Sequence, residues 1–218
     1  MDLKHILEIG MEISKGFNVT LSIFFYTLLF SIPLGLILSV FSQSKNKVIY
    51  GVVRIYTWIL RGTPLMLQIF FIYFGIPIMT GNTVIFDNYT AGLVGFILNY
   101  TAYFAEIFRG GIQGIDKGQY EAANALGLTY PKTMLKIVLP QAIRGSLPSI
   151  GNEAITLIKD TVLLAIISLK DILQFAKGIV SREATLTPFI IVAIFYLLMT
   201  FIITKIMKYL EKRCTIPN

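Results

Sequence analysis

Long stretches of the chain are apolar and carry no charge. Residues 20–41 and 62–86 contain no Asp, Glu, Lys or Arg. A helix needs about 20 predominantly apolar residues to cross a bilayer, and both stretches are long enough. The pattern predicts an all-α polytopic membrane protein with about five transmembrane helices, over residues 19–41, 55–79, 89–108, 147–169 and 187–207. We expect Pro33, Pro64 and Pro77 to interrupt or end helices, which neighbouring groups in membrane proteins can compensate.

Composition agrees with membrane insertion. Of the 218 residues, 55% are hydrophobic and only 14% are charged, against about 25% charged residues in soluble domains. The net charge of +7 is compatible with nucleic-acid binding, but the basic residues lie between the apolar runs, where membrane proteins carry them. We therefore predict contact with lipid and not with nucleic acid.

The distribution of Lys and Arg predicts how the chain is oriented in the membrane. Twelve basic residues lie in the loop after the first span, the loop after the third span and the tail, at positions 45, 47, 54, 109, 117, 132, 136, 144, 205, 208, 212 and 213. The opposite side carries five, at positions 4, 15, 170, 177 and 182. Because cytoplasmic loops are the more basic ones, we expect the N-terminus outside and the C-terminus in the cytoplasm.

The long cytoplasmic loop, residues 110–146, predicts two short helices. The first spans 117–126, and Gly127 follows it as a C-terminal cap in the left-handed conformation. Thr129 can cap the second helix and Pro131 suits its first turn, whereas Pro140 is expected to end it after Leu139. Taken alone, this arrangement is also compatible with a loop that merely shields the bundle.

The residues of this loop resemble the EAA motif of membrane subunits of bacterial ATP-binding-cassette (ABC) importers. The match consists of Glu121, Ala122, Ala123, then Gly127, and, after nine intervening residues, the sequence Ile-Val-Leu-Pro at 137–140. The resemblance implies a type I importer permease in which this loop, residues 117–140, docks on a nucleotide-binding subunit. Glu121, Ala122, Ala123 and Gly127 would then carry the docking. A single permease domain over 1–218 is expected.

Three further segments resemble the polar amino-acid uptake branch of that family. They are Arg-Gly-Thr-Pro-Leu at 61–65, Ala-Tyr-Phe-Ala-Glu-Ile-Phe-Arg-Gly-Gly-Ile at 102–112 and Lys-Asp-Thr at 159–161. The resemblance implies a bacterial inner-membrane permease working by alternating access. Its partners would be a second permease subunit, identical or similar, the nucleotide-binding subunit and an external substrate-binding protein. ATP and Mg would be bound by the partner subunit, and no cofactor is expected in this chain.

The fourth predicted span carries two carboxylates that suit a cationic substrate. Glu153 and Asp160 are seven residues apart, so they share one helix face about 10 Å apart along the axis. Lys159 points about 120° away from Glu153 and cannot readily neutralise it. Charges inside membrane helices commonly mark substrate sites. We therefore predict a basic amino acid as substrate, although Glu153 could instead pair with a basic group such as Arg61.

Other polar residues complete the predicted substrate site, namely Asn152, Thr156, Asn99, Tyr100 and Thr101. Import of a neutral or acidic polar amino acid, such as glutamine or glutamate, remains an alternative. A secondary transporter or channel would need paired repeats or ion-coordinating broken helices, and a membrane scaffold is a further alternative. The chain lacks a phosphate-binding Gly-x-x-x-x-Gly-Lys-Ser/Thr loop, and its one histidine and one cysteine argue against a metal site. We expect no catalytic residue.

Overall fold

The fold is known from a computed structural model, which describes residues 3–214. Residues 1–2 and 215–218, the two ends of the predicted 1–218 domain, lie outside that range. The described residues form helices and connecting turns, without a strand. The helices are α1 (Leu3–Ser14), α2 (Phe17–Phe41), α3 (Lys47–Gly62), α4 (Leu65–Phe70), α5 (Ile76–Met79), α6 (Asn88–Gln113), α7 (Lys117–Ala125), α8 (Tyr130–Thr133), α9 (Leu139–Asp160), α10 (Ile172–Glu183) and α11 (Thr187–Cys214). The predicted all-α class is confirmed.

Helix α6 lies at the centre of the bundle and contacts α2, α3, α4 and α9. It begins after Asp87, whose carboxylate accepts the backbone N–H of Thr90 at 2.9 Å. Four aromatic side chains at every fourth position, Phe96, Tyr100, Phe104 and Phe108, are all buried. Residues at this spacing lie on one helix face, so they form a continuous aromatic ridge in the core.

Helix α2 approaches α6 so closely that no side chain fits between the two at Gly35. A Cβ atom added there would lie 2.6 Å from the Cβ of Phe104 and 2.9 Å from the backbone nitrogen of Ala105. Pro33 lies inside α2 and does not end it, contrary to the sequence-based expectation. Close packing through a small residue is typical of membrane helices, because van der Waals contact drives their association.

The second predicted span, 55–79, is not one straight helix. Helix α3 ends at Gly62, and the helical segment from Leu65 to Met79 continues at an angle of 103°. Thr63 is extended, with φ −117° and ψ 145°, because a residue preceding proline disfavours the α conformation. The segment after the break contains α4, a π-helical turn over Phe71–Gly75 and α5. The break therefore interrupts the span at Arg-Gly-Thr-Pro.

Two side-chain amides stabilise this break. The Nε2 group of Gln68 donates to the carbonyl of Leu60 at 2.8 Å and to that of Thr63 at 3.1 Å. The Nδ2 group of Asn99 on α6 also donates to the Leu60 carbonyl, at 3.0 Å. These contacts satisfy carbonyls that lose their helical partners where α3 ends, which an apolar environment requires.

The loop after α6 confirms one predicted helix and corrects the other. Helix α7 forms as expected, and Gly127 follows it with a φ of +71°. Thr129 precedes α8, but its side chain makes no capping hydrogen bond. Pro140 does not end the second helix: α8 continues through a π-helical turn, Met134–Val138, directly into α9. The wider turn accommodates a proline, which lacks an N–H and would clash with the carbonyl four residues earlier.

Segments that the charge pattern places on the same side of the membrane lie at the same end of the bundle. Near one end, Arg182 of α10 pairs with Glu12 of α1 at 2.9 Å, and His5 contacts Glu183 at 3.0 Å. At the other, Leu36 and Val40 of α2 pack against a small core formed by Ile112, Met134, Val138, Leu139 and Ala142. The side of the membrane that each end faces stays a prediction.

Length and apolar composition identify three segments of residues 3–214 that could each cross a membrane. They are Leu3–Phe41, Asn88–Gln113 and Thr187–Cys214, and the bent pair α3 and α4–α5 would supply a fourth. The predicted span 147–169 is helical, but α9 carries Glu153, Lys159 and Asp160 and then tightens to a 3-10 helix over Thr161–Ile167. The three apolar segments, the bent pair and this polar segment together make five spans among the described residues.

Candidate functional site

A cavity of about 560 Å³ opens beside the break between α3 and α4. Its volume falls in the range of small-molecule binding pockets. The residues that line it come from the break, from α6, from α9 and from the 3-10 helix, and they are Arg61, Gly62, Thr63, Pro64, Leu65, Met66, Asn99, Tyr100, Tyr103, Glu153, Thr156, Asp160 and Leu163. The cavity thus brings together polar residues from three separate predicted spans.

Both carboxylates of α9 line this cavity, as their shared helix face predicted. Asp160 accepts a hydrogen bond from the hydroxyl of Tyr100 at 2.8 Å, and Tyr100 is itself almost fully buried. Glu153 is half-buried, and within residues 3–214 it has no hydrogen bond and no ion pair within 4 Å. Tyr100 therefore holds Asp160 in place, whereas the Glu153 carboxylate makes no hydrogen bond in the described part of the chain and is attracted to Arg61 only from a distance beyond that of a salt bridge.

Arg61 contributes a positive charge to the same cavity. Its guanidinium lies over the ring of Tyr103, 5.3 Å from the ring centre, and its Nη1 atom is 3.6 Å from Oε1 of Glu106. It forms no salt bridge within 4 Å with Glu153, the pairing that the sequence left open, although the two charges face the same cavity and attract each other at longer range. The cavity lining therefore contains two carboxylates and one guanidinium.

The remaining predicted substrate residues divide into two groups. Thr156 and Asn99 line the cavity, although the amide nitrogen of Asn99 is used at the helix break and also donates to Gln68 at 3.1 Å. Thr101 is buried and Asn152 is exposed, and neither is a lining residue. The direction of each side chain depends on helix rotation, which sequence spacing alone does not reveal.

The sequence did not indicate a cluster of three arginines around Glu106. Its Oε1 accepts from Nη1 of Arg54 at 3.1 Å, its Oε2 accepts from Nε of Arg109, and Arg61 lies nearby. The Glu106 side chain is only 12% exposed. Arg109 lies three residues after Glu106, the one spacing in the sequence that could have suggested a pair. Arg54 and Arg61 come from another helix, so their contacts required the fold.

The predicted docking residues lie on and just after α7. Asp116 caps this helix by accepting the N–H of Gly118 at 2.7 Å. Glu121, Ala122 and Gly127 are exposed, whereas Ala123 is 1% exposed and packs against its own chain. Leu126, directly before Gly127, is 79% exposed. Helix α7 and the turn after it thus present the charged residues Lys117 and Glu121 and the apolar Leu126 at the end of the bundle.

Comparison with known proteins identifies the family. The profile of binding-protein-dependent transport system inner membrane components matches residues 31–216. The chain belongs to this family. The arginine transport system permease protein ArtQ of Bacillus subtilis (strain 168) is 38% identical over 202 residues, which cover 92% of this chain and 91% of that protein. A putative glutamine transport system permease protein GlnP of Rickettsia felis is 36% identical over 203 residues, covering 92% of each.

A solved structure supports the same identification. The crystal structure of an amino acid ABC transporter with histidines contains a chain that matches with a TM-score of 0.89 and 33% identity, covering 98% of this chain and 99% of that one. The predicted type I importer permease fold is confirmed, and so is the resemblance of the sequence to permease subunits of amino-acid ABC importers. The chain is the membrane-embedded permease of an amino-acid ABC importer. Membership implies that a partner subunit uses ATP and that a substrate-binding protein takes part.

Proposed function

We propose that this permease imports basic amino acids and that Glu153, assisted by Asp160, holds the cationic side chain. The observation that carries the proposal is the half-buried Glu153 carboxylate, which lines the cavity and makes no hydrogen bond and no close ion pair among residues 3–214. A carboxylate in a low-dielectric site is stabilised in its charged form by an opposite charge. A guanidinium, ammonium or imidazolium group of a substrate would supply that charge.

The summed charge of the cavity favours the same class of substrate. Two carboxylates and one guanidinium leave an excess of one negative charge. Arginine and lysine at neutral pH carry two positive groups and one negative group, because their side chains titrate above pH 10. The charges of the substrate would therefore be opposite in sign and equal in number to those of the cavity, so that each charged group would gain a partner.

Neutral or acidic polar amino acids are the second candidate. The similarity to a putative glutamine permease, 36% against 38% for an arginine permease, supports them almost equally. Their charge fits less well, since glutamine would leave one carboxylate without a counter-charge and glutamate would leave two. The charge of the lining is therefore the observation that favours the basic class.

Transport by alternating access would require coupling to the ATP-using partner. We infer that α7 docks on that subunit through Glu121, Ala122 and Gly127, with Ala123 supporting the helix from inside. A second permease subunit would complete the path, in a bacterial inner membrane with the C-terminus in the cytoplasm. ATP and Mg would bind to the partner subunit, whose closure would move α7 and open the cavity to the outside.

Glu153→Gln tests the substrate proposal, because it keeps the shape of the side chain and removes its charge. Loss of a charge-assisted hydrogen bond costs about 1.5–3 kcal/mol, which corresponds to roughly 10- to 150-fold weaker binding of arginine or lysine. The measurement is binding of labelled amino acids to the purified permease complex. Glu8→Gln is the control, since it makes the same substitution at an exposed glutamate outside the cavity. Unchanged arginine affinity in Glu153→Gln would make Glu153 a structural residue, and wild-type preference for glutamine would contradict the basic class.

A further inference from the structure

An open groove of about 670 Å³ runs between α2, α9 and α11, and all 14 residues that line it are apolar. Ala154 and Ile158 of α9 are buried, so they form its floor. Leu198 and Ile202 of α11, on one of its walls, are exposed. Because α11 is long and apolar enough to cross a membrane, the groove opens towards the lipid or towards another membrane protein.

The groove and the polar cavity lie on different sides of α9. Ala154 follows Glu153 by one residue and Ile158 follows it by five, so their side chains point about 100° and 140° away from that of Glu153. A second permease subunit, which would complete the transport path, would contact the side of α9 that faces the cavity. The groove on the other side is therefore left to the surrounding lipid.

The length of the groove matches the depth of one leaflet. Along α11 the lining extends from Phe195 to Met207, twelve positions or about 18 Å at 1.5 Å per residue. Half of the hydrocarbon core of a bilayer is about 15 Å thick. The ring of Phe17 closes the groove at the Phe195 end, where the two ring centres are 5.0 Å apart. An acyl chain that entered from the Met207 end would thus end near the bilayer centre.

A tyrosine and an arginine follow the groove at its Met207 end. Tyr209 and Arg213 come seven residues after the lining residues Ile202 and Ile206, which is two helical turns, so they continue the same face of α11. The guanidinium of Arg213 lies over the Tyr209 ring, 5.1 Å from its centre. A guanidinium stacked in this way keeps its N–H edge available for the oxygens of a phosphate. Tyrosine and arginine at the end of an apolar helix are typical of the headgroup region.

We propose that this groove binds one acyl chain of an anionic phospholipid and that Arg213 binds the phosphate of its headgroup. Lys212, also in the last turn of α11, adds positive charge at the same level, and basic residues at the membrane surface attract anionic lipids. The lipid would belong to the leaflet at the C-terminal end of α11, which the charge distribution predicts to be cytoplasmic. Its chain would support α9 from the side that does not face the substrate cavity.

The test measures binding of a fluorescent phosphatidylglycerol to the purified complex of permease and nucleotide-binding subunits in detergent. Unlabelled phosphatidylglycerol and phosphatidylcholine with the same acyl chains are the competitors, so that only the headgroup charge differs. In the wild type, phosphatidylglycerol should compete roughly 5- to 10-fold better, as expected for one or two basic residues at the headgroup. In Arg213→Gln this preference should fall to about twofold or less, while the affinity for phosphatidylcholine should change little.

Lys208→Gln is the matched control for the headgroup contact. Lys208 is exposed on the same helix, but it comes two residues after Ile206 and points about 160° away from it. This variant should keep the preference for phosphatidylglycerol, although it loses the same charge as Arg213→Gln.

Ile202→Trp tests the groove itself, because the larger side chain would fill it and weaken the binding of both lipids. Its control is Leu197→Trp, since Leu197 is exposed on α11 and does not line the groove. Leu197→Trp should bind both lipids as the wild type does.

The assignment is overturned if the wild type binds both lipids equally, if Lys208→Gln loses the preference as Arg213→Gln does, or if Ile202→Trp binds phosphatidylglycerol as well as Leu197→Trp does. A disulfide between two copies that carry Ile202→Cys and Cys214→Ser would show that a second permease subunit covers the groove, and it would overturn the assignment as well. Since no amino acid is present in the binding test, these outcomes do not depend on the substrate class proposed above.

Discussion

Asp171 lies in an environment that predicts a measurable pH dependence of stability. It precedes α10, beyond the predicted fourth span, and its side chain is fully buried. Its Oδ1 atom accepts the N–H of Gln174 at 2.8 Å, while Oδ2 has no partner in the described part of the chain. Burial raises the pKa of Asp171 from 3.8 to about 6, although the N–H groups of Gln174 and Leu173 favour the charged form.

The magnitude follows from the size of this shift. One pKa unit corresponds to about 1.4 kcal/mol, so a rise from 3.8 to about 6 amounts to at most about 3 kcal/mol. Because the folded-state pKa is the higher one, the folded state binds the proton more tightly. The stabilisation is fully present below pH 3.8 and is lost as the pH rises through about 6.

Asp171→Asn removes the titration and keeps the helix cap, since asparagine caps helices as well as aspartate does. The assay is thermal unfolding of the purified permease complex between pH 4 and pH 8. The melting temperature of the wild type relative to the variant should fall by roughly 6–12 °C across this range. Asparagine adds a buried N–H donor, which shifts the whole curve of the variant but not its slope.

Asp87→Asn is the control for this experiment. Asp87 also caps a helix, but it is exposed, and the hydrogen bond from the Thr90 side chain lowers its pKa. Its contribution is present above its unfolded-state pKa, about 4, and is lost only as the pH falls further. Between pH 5 and pH 8 its profile should parallel that of the wild type. Parallel profiles for Asp171→Asn and the wild type would refute the reasoning about Asp171.

Three further predictions concern packing, coupling and topology. Gly35→Ala should lower the free energy of unfolding by about 1–3 kcal/mol, because the added Cβ would lie 2.6 Å from the Cβ of Phe104. Gly51→Ala is the control, since open space surrounds Gly51 and the variant should not be destabilised. Equal melting temperatures of the two variants would contradict the close α2–α6 contact. Glu121→Lys should leave membrane insertion intact but abolish substrate-dependent ATP hydrolysis by the complex or release the nucleotide-binding subunit, and normal ATP-driven uptake would refute the docking role. A cysteine introduced at the exposed position Asn124 should resist an impermeant reagent in intact cells, so that its labelling would show the predicted orientation to be inverted.

Some features of the site were predictable because they are local. Glu153 and Asp160 reach the same cavity because a spacing of seven residues is two helical turns, whatever surrounds the helix. Gly127 adopts positive φ because the residue after a helix commonly does so, and glycine does it without strain. In contrast, Pro140 was wrongly expected to end a helix, since the π-helical turn before it depends on packing around Met134 and Val138.

The sequence alone determined the all-helical membrane class, the presence of helix α7 and the family, because apolar run length and a short spaced motif are properties of the chain order itself. Only the tertiary structure decided that Arg61 pairs with Glu106, 45 positions away, and that Glu153 makes no hydrogen bond and no close ion pair among the described residues. The physical reason is that lipid and protein interior are both apolar, so hydrophobic periodicity does not report which face of a membrane helix turns inward. Charge pairing across helices depends on that rotation.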